Sequence, residues 1–99
     1  MGRLSISISI SKLVRASLSI PTNIAEGSGR DSGKEQAYFY GVAKGSVYEV
    51  VSLLAMIGKR GHLSRESYQQ QHQEADEIAA MIAGLAKAAS SRGKNSNSN

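Results

Sequence analysis

Apolar residues recur along most of this chain at helical rather than strand spacing. The plainest case starts at Ser32, after which Phe39, Val42, Ala43, Val47, Val50, Leu53, Leu54 and Ile57 form one 3.6-residue stripe. Ser32-Gly33-Lys34-Glu35 has the form of a capping box, in which serine and a glutamate three residues on satisfy orphan N–H groups at a helix start. Lys59 and Arg60 suit the negative end of the helix dipole, and Gly61 supplies a left-handed stop. After Gly61-His62-Leu63, Ser64 can cap a further helix with Glu66 in its first turn. Its stripe is Tyr68, Ala75, Ile78, Ala79, Ile82, Leu85, Ala86 and Ala89. So short a link between two long helices implies an antiparallel hairpin.

Upstream, residues 12–26 read as a helix with Leu13, Ser17, Ile20 and Ile24 on one face. Pro21 lies inside it, lacks the N–H that the Ser17 carbonyl needs, and predicts a kink. Gly27-Ser28-Gly29 is expected to end this helix, with Gly27 left-handed. The first eleven residues are ambiguous. Ser–Ile alternation from Ser5 to Ser11 matches a half-buried strand, whereas Ile6, Ile10, Leu13 and Ser17 also fall at helical spacing. A lone strand would have no partner, so residues 1–11 read as a divergent, frayed segment or a backward extension of the helix. From Ser90 to Asn99 no apolar residue occurs, which predicts a disordered tail. The expected organisation is an all-α, up-down antiparallel helical bundle over residues 12–89, with three clear helices.

Composition narrows the means of stabilising such a bundle. A 99-residue chain has room for one core, and a domain of this size buries only roughly 60 to 65% of the surface its unfolded chain exposes. Cysteine is absent, so disulfides and Cys-based zinc sites cannot supplement it, leaving packing and self-association. No run of about 18 apolar residues suggests a membrane span, and the alternating serines break the apolar core that a signal peptide needs. Met1-Gly2 is followed by Ile6 where a myristoylation motif wants Ser or Thr. A cytoplasmic protein without a membrane partner is expected.

Twelve Lys and Arg against eight Asp and Glu give a formal net charge of +4. Residues 1–34 hold Arg3, Lys12, Arg15, Arg30 and Lys34 against Glu26 and Asp31, whereas residues 66–77 hold Glu66, Glu74, Asp76 and Glu77 and no Lys or Arg. This polarity marks Lys12, Arg15, Arg30 and Lys34 as candidates for contact with RNA or DNA.

Catalytic and ligand motifs fail their own requirements. In Gly27-Ser28-Gly29-Arg30-Asp31-Ser32-Gly33-Lys34, a phosphate loop would need glycine at position 28 and a hydroxyl at 35, where Ser28 and Glu35 stand. Asp31-Ser32-Gly33 has a serine but no rigid scaffold to bring either histidine to it as a base. His72 and Asp76 sit one helical turn apart, yet no further metal ligand joins them. No catalytic residue, cofactor or metal is expected. Among the aromatics, Phe39 falls on the core stripe, and Tyr38, Tyr40 and Tyr48 lie off it as candidates for a subunit interface.

The run Leu13 to Gly27 contains Ser19, Ile20, Pro21, Asn23, Ile24, Ala25, Glu26 and Gly27 in the pattern S-I-P-x-N-I-A-E-G. This resembles the four-helix-bundle family of 23S ribosomal RNA intervening-sequence proteins, and the likeness continues through Gly29-Arg30, Ser32, Glu35, Gly45, Ser46 and Glu49, covering about residues 13 to 88. The resemblance implies a homopentameric ring of up-down bundles and kinship with accessory proteins of diversity-generating retroelements, which are thought to bind nucleic acid and a reverse transcriptase. Members carry a complete first helix before the segment that matches Lys12 onward, so this chain resembles a shortened member. Three functions stay open: a non-catalytic oligomeric subunit with an accessory nucleic-acid role, a purely structural protein–protein module, and a truncated remnant.

Overall fold

The computed structural model describes residues 2–97, with side chains from 6 to 92. Three helices follow one another: α1 (Gly2–Ser28), α2 (Gly33–Lys59) and α3 (Arg65–Asn97), with no strand among the described residues. The all-α expectation holds. The expected boundaries at 11/12 and 89/90 do not coincide with element ends: α1 takes in the Ser–Ile segment and α3 runs through most of the expected tail. Met1, Ser98 and Asn99 lie outside the described residues, as does the Arg3 side chain.

Local chemistry sets the starts and stops. Ser32 caps α2 by accepting the Glu35 backbone N–H at 3.1 Å, and Ser64 does the same for Ser67 at 3.0 Å before α3. Gly61 has φ of 81°, the left-handed backbone that lets the chain leave α2 and turn into α3. Gly27 does not adopt that conformation, since Gly61 alone has positive φ among the described residues. α1 also continues through Pro21 as one helix, with the proline ring on its exposed side.

The helices pair as α1 with α2 and α2 with α3, whereas α1 and α3 do not meet among the described residues. Their Cα atoms fill 59 × 24 × 13 Å. Three helices laid side by side at the usual ~9 Å spacing give this width and thickness. The molecule is therefore an open layer, up-down-up, rather than a closed bundle. α2 runs down its middle and is long and apolar enough to cross a membrane by length and composition, against the expectation that no segment is. Here it is the helix on which both others pack.

The interior is built from small residues. Among described apolar residues the buried ones are Ala16, Tyr40, Ala43, Val47, Leu53, Ala75, Ala79, Ile82 and Ala89, five of them alanine. A buried methyl contributes about 0.8 kcal/mol, against roughly 1.5–3 kcal/mol for a whole Leu or Ile side chain, so this core is thin. Larger residues from the sequence stripes lie outside: Val42, Ile78 and Leu85 are exposed, as are Ile8, Ile10, Val14, Leu18 and Met81. On α1 and α3, a helical stripe wide enough to serve two neighbours cannot fill both flanks when α2 is the one neighbour described.

Arg92 donates to Gln36 Oε1 at 2.7 Å, and Gln36 Nε2 donates to the Arg30 carbonyl at 3.0 Å. These bonds join position 92 of α3 to the start of α2 and the α1–α2 loop.

Candidate functional site

The motif from Ser19 to Gly27 is the seam between α1 and α2. Ser19 Oγ lies 2.8 Å from Ser46 Oγ, and Asn23 Nδ2 donates to the Ser19 carbonyl at 2.8 Å and to its Oγ at 3.0 Å. Ser46 Oγ also donates to the Val42 carbonyl at 3.2 Å. Half-buried polar groups thus satisfy one another while small side chains let the helices approach closely. One turn on, Ile20 and Ile24 pack against the core formed by Tyr40, Ala43 and Val47. Gly27 is buried against α2: a Cβ built there would sit 2.9 Å from Tyr40 Cε1, 3.1 Å from Phe39 Cβ and 3.2 Å from the Gln36 carbonyl oxygen. Glu26 reaches outward to Arg30 at 2.7 Å, and Pro21 and Ala25 are exposed.

Tyr40 is removed from the candidate subunit interface. It is 4% exposed, its ring lies on Gly27, and its hydroxyl is 3.1 Å from Ser28 Oγ, so it is a core residue of this chain. Helical periodicity had favoured Phe39, which is only half-buried and takes the Tyr38 ring edge-on at 5.2 Å. Tyr38 and Tyr48 are exposed, with the Lys44 ammonium 5.9 Å from the Tyr48 ring centre.

The four candidate cations do not form one patch. Lys12 and Arg15 are exposed one turn apart on α1. Arg30 lies about 22 Å further along at 1.5 Å per residue, bonded to Glu26 and stacked over the Phe39 ring at 4.8 Å. Lys34 is exposed in the first turn of α2 beside Asp31 and Glu35 in sequence, so the loop end is close to charge-balanced.

A denser basic site lies at the opposite end. The α2–α3 turn carries Lys59, Arg60, His62 and Arg65 with only Glu66 among them as an acid. Sequence reasoning gave Lys59 and Arg60 a role only toward the helix dipole, although four basic side chains within seven residues were visible. In the antiparallel register set by Ser19 and Ser46, Lys12 lies alongside about position 53 of α2, roughly 9 Å along the axis from Lys59. Lys12 and Arg15 therefore belong to the same half of the layer as the basic turn. His72 and Asp76 pair at 3.3 Å on the exposed side of α3. Among the described residues no group of three His, Cys, Asp or Glu is placed to hold a metal ion.

Fold and seam together define a small all-helical protein whose motif residues hold one helix against the next. The chain belongs to the 23S rRNA-intervening sequence protein family, whose model matches residues 6–84, from the start of the Ser–Ile segment to the middle of α3. No curated protein matches the chain at a significant level of similarity.

Proposed function

We propose that this chain is a non-catalytic cytoplasmic subunit that self-associates through the open flanks of its helical layer, and that the assembly serves as an accessory nucleic-acid-binding scaffold. The observation that carries the reading is the inverted distribution of apolar side chains. Five of the nine buried apolar residues described are alanine, while Ile10, Val14 and Leu18 on α1 and Ile78, Met81 and Leu85 on α3 line up at helical spacing on the outside. Contiguous exposed apolar area beyond a few hundred Å² is unusual for a monomer and is relieved by another copy. A pentamer is the closed ring implied by the family resemblance, and closure leaves no flank uncovered.

The nucleic-acid role rests on the basic half of the layer and the net charge of +4. A ring repeats each Lys12–Arg15 pair, so contacts weak in one subunit add through multivalency. Replacing Lys12 and Arg15 together by glutamine is expected to weaken binding to single-stranded RNA or DNA irrespective of sequence. It should also flatten the dependence of log affinity on log salt by about two units per engaged subunit. Fluorescence anisotropy of a labelled oligonucleotide between about 50 and 200 mM salt measures this. An intact assembly that binds no oligonucleotide at the low-salt end would leave a purely structural protein–protein module.

A further inference from the structure

Beside the α2–α3 turn lies an open hollow of about 380 Å³ lined by Ala55, Gly58, Lys59, Leu63, Arg65 and Tyr68. This falls within the range of small-molecule sites, which combine apolar walls with a few charged groups. Ala55, Leu63 and Tyr68 supply apolar and aromatic surface from three different elements: α2, the turn and α3. Lys59 and Arg65 are both exposed and stand at either side of the turn. Gly58 contributes the open floor: a Cβ built there meets nothing within 4 Å.

We infer that this hollow binds a nucleotide, with its base against Tyr68 and Leu63 and its phosphate between Lys59 and Arg65. Aromatic surface beside paired cations is the combination by which single-stranded nucleic acids are held, because every base has a face to stack and every phosphate a charge to neutralise. An acidic side chain of a peptide carries its charge without an attached planar base, and so leaves the Tyr68 and Leu63 surface unused. The inference deepens the nucleic-acid reading and assigns it a second element besides Lys12 and Arg15. The same chemistry could come from a free mononucleotide or from an exposed nucleotide of a single strand.

The test uses the full chain with three probes: AMP, adenosine, and a fluorescein-labelled twelve-residue oligoadenylate. Gly58→Leu places a side chain at the lining of the hollow with its β-carbon clear of other atoms by 4 Å, and replacing an interior helical glycine favours the helix by up to about 1 kcal/mol, so its melting temperature is expected to hold or rise. In wild type, AMP should shift the amide resonances of Gly58, Leu63 and Tyr68 saturably, and adenosine, lacking phosphate, should bind several-fold more weakly. Gly58→Leu and Tyr68→Leu should abolish the AMP shifts and lower oligonucleotide affinity by about tenfold, of the order of one lost stacked base. Saturation by AMP together with unchanged oligonucleotide affinity in Gly58→Leu would assign the hollow to free nucleotides and support the site itself. Wild-type oligonucleotide binding, with no AMP response and Gly58→Leu unchanged, would overturn the inference while leaving the Lys12–Arg15 reading standing. Binding of an acidic, leucine-containing peptide at these amides with AMP inert would also overturn it. Absence of all nucleic-acid and nucleotide binding would overturn both.

Discussion

Gly27→Val is expected to lower the melting temperature by roughly 10 °C. The β-carbon alone falls 2.9 Å from the Tyr40 ring, 3.1 Å from Phe39 Cβ and 3.2 Å from a backbone oxygen of α2, and two of those three atoms cannot swing aside. α1 and α2 would have to separate at this point, loosening Tyr40 from the core and its hydroxyl from Ser28. Overpacking of this kind typically costs about 1–3 kcal/mol, and each kcal/mol moves the midpoint of a domain this size by about 4–8 °C. Gly84→Ala is the control: no atom lies within 4 Å of its added carbon, so the helix should gain up to about 1 kcal/mol. Thermal unfolding followed by circular dichroism separates the two, and equal midpoints would show that α1 and α2 do not approach as closely as described.

Leu18→Glu and Met81→Glu should act on assembly and not on folding. Leu18 is 61% and Met81 64% exposed within one chain, so a glutamate at either position stays in water when the chain is alone. Once a second copy covers these flanks, each glutamate becomes a charge buried without a partner, which costs several kcal/mol. About 4 kcal/mol already weakens association roughly a thousandfold. The double variant is expected to run as a smaller species at concentrations where wild type is assembled, with its helical circular dichroism largely kept. An unchanged assembly would place the subunit contact elsewhere, with the exposed Tyr38 and Tyr48 surface of α2 next to be tested.

The helix ends were legible because each depends on a few neighbouring residues. Ser32, Gly61 and Ser64 carry their roles in their own chemistry, and the structure places each as expected. What a stripe could not reveal was how much of its width would be covered. α2 and α3 have apolar residues over more than one contact's worth of surface, and periodicity treated Val42, Ile78 and Leu85 as equal to Ala43, Ala79 and Ile82. The layer buries the second set and leaves the first. Tyr40 was misplaced for the same reason, since it sits just off the stripe's centre on the flank that meets Gly27.

Gly27 shows a different limit. A glycine near a helix end suggests a left-handed stop, yet this one is needed because another helix passes within van der Waals reach, a fact held by residues 36 to 40 and not by its own neighbours. The Ser–Ile segment was undecidable locally because its alternation satisfies both periods. The structure resolves the choice toward helix, since α1 runs from Gly2 with Ser9, buried at 5%, and Ala16 two turns apart on its buried side. Of the candidate site, the charges were legible as residues and not as places. Only the antiparallel register brings Lys12 and Arg15 into the half that holds Lys59, Arg60 and Arg65, and sends Arg30 to the far end.

A layer with an alanine-rich interior and with Leu18, Ile78, Met81 and Leu85 exposed on its outer helices is expected to be one part of a larger assembly. Sedimentation velocity of the unmodified protein at about 10 µM, with mass photometry at nanomolar concentration for comparison, tests it directly. A discrete species several times the mass of one chain is expected, pentameric if the family ring closes. A single sharp boundary at the monomer mass, from protein that melts cooperatively, would contradict it.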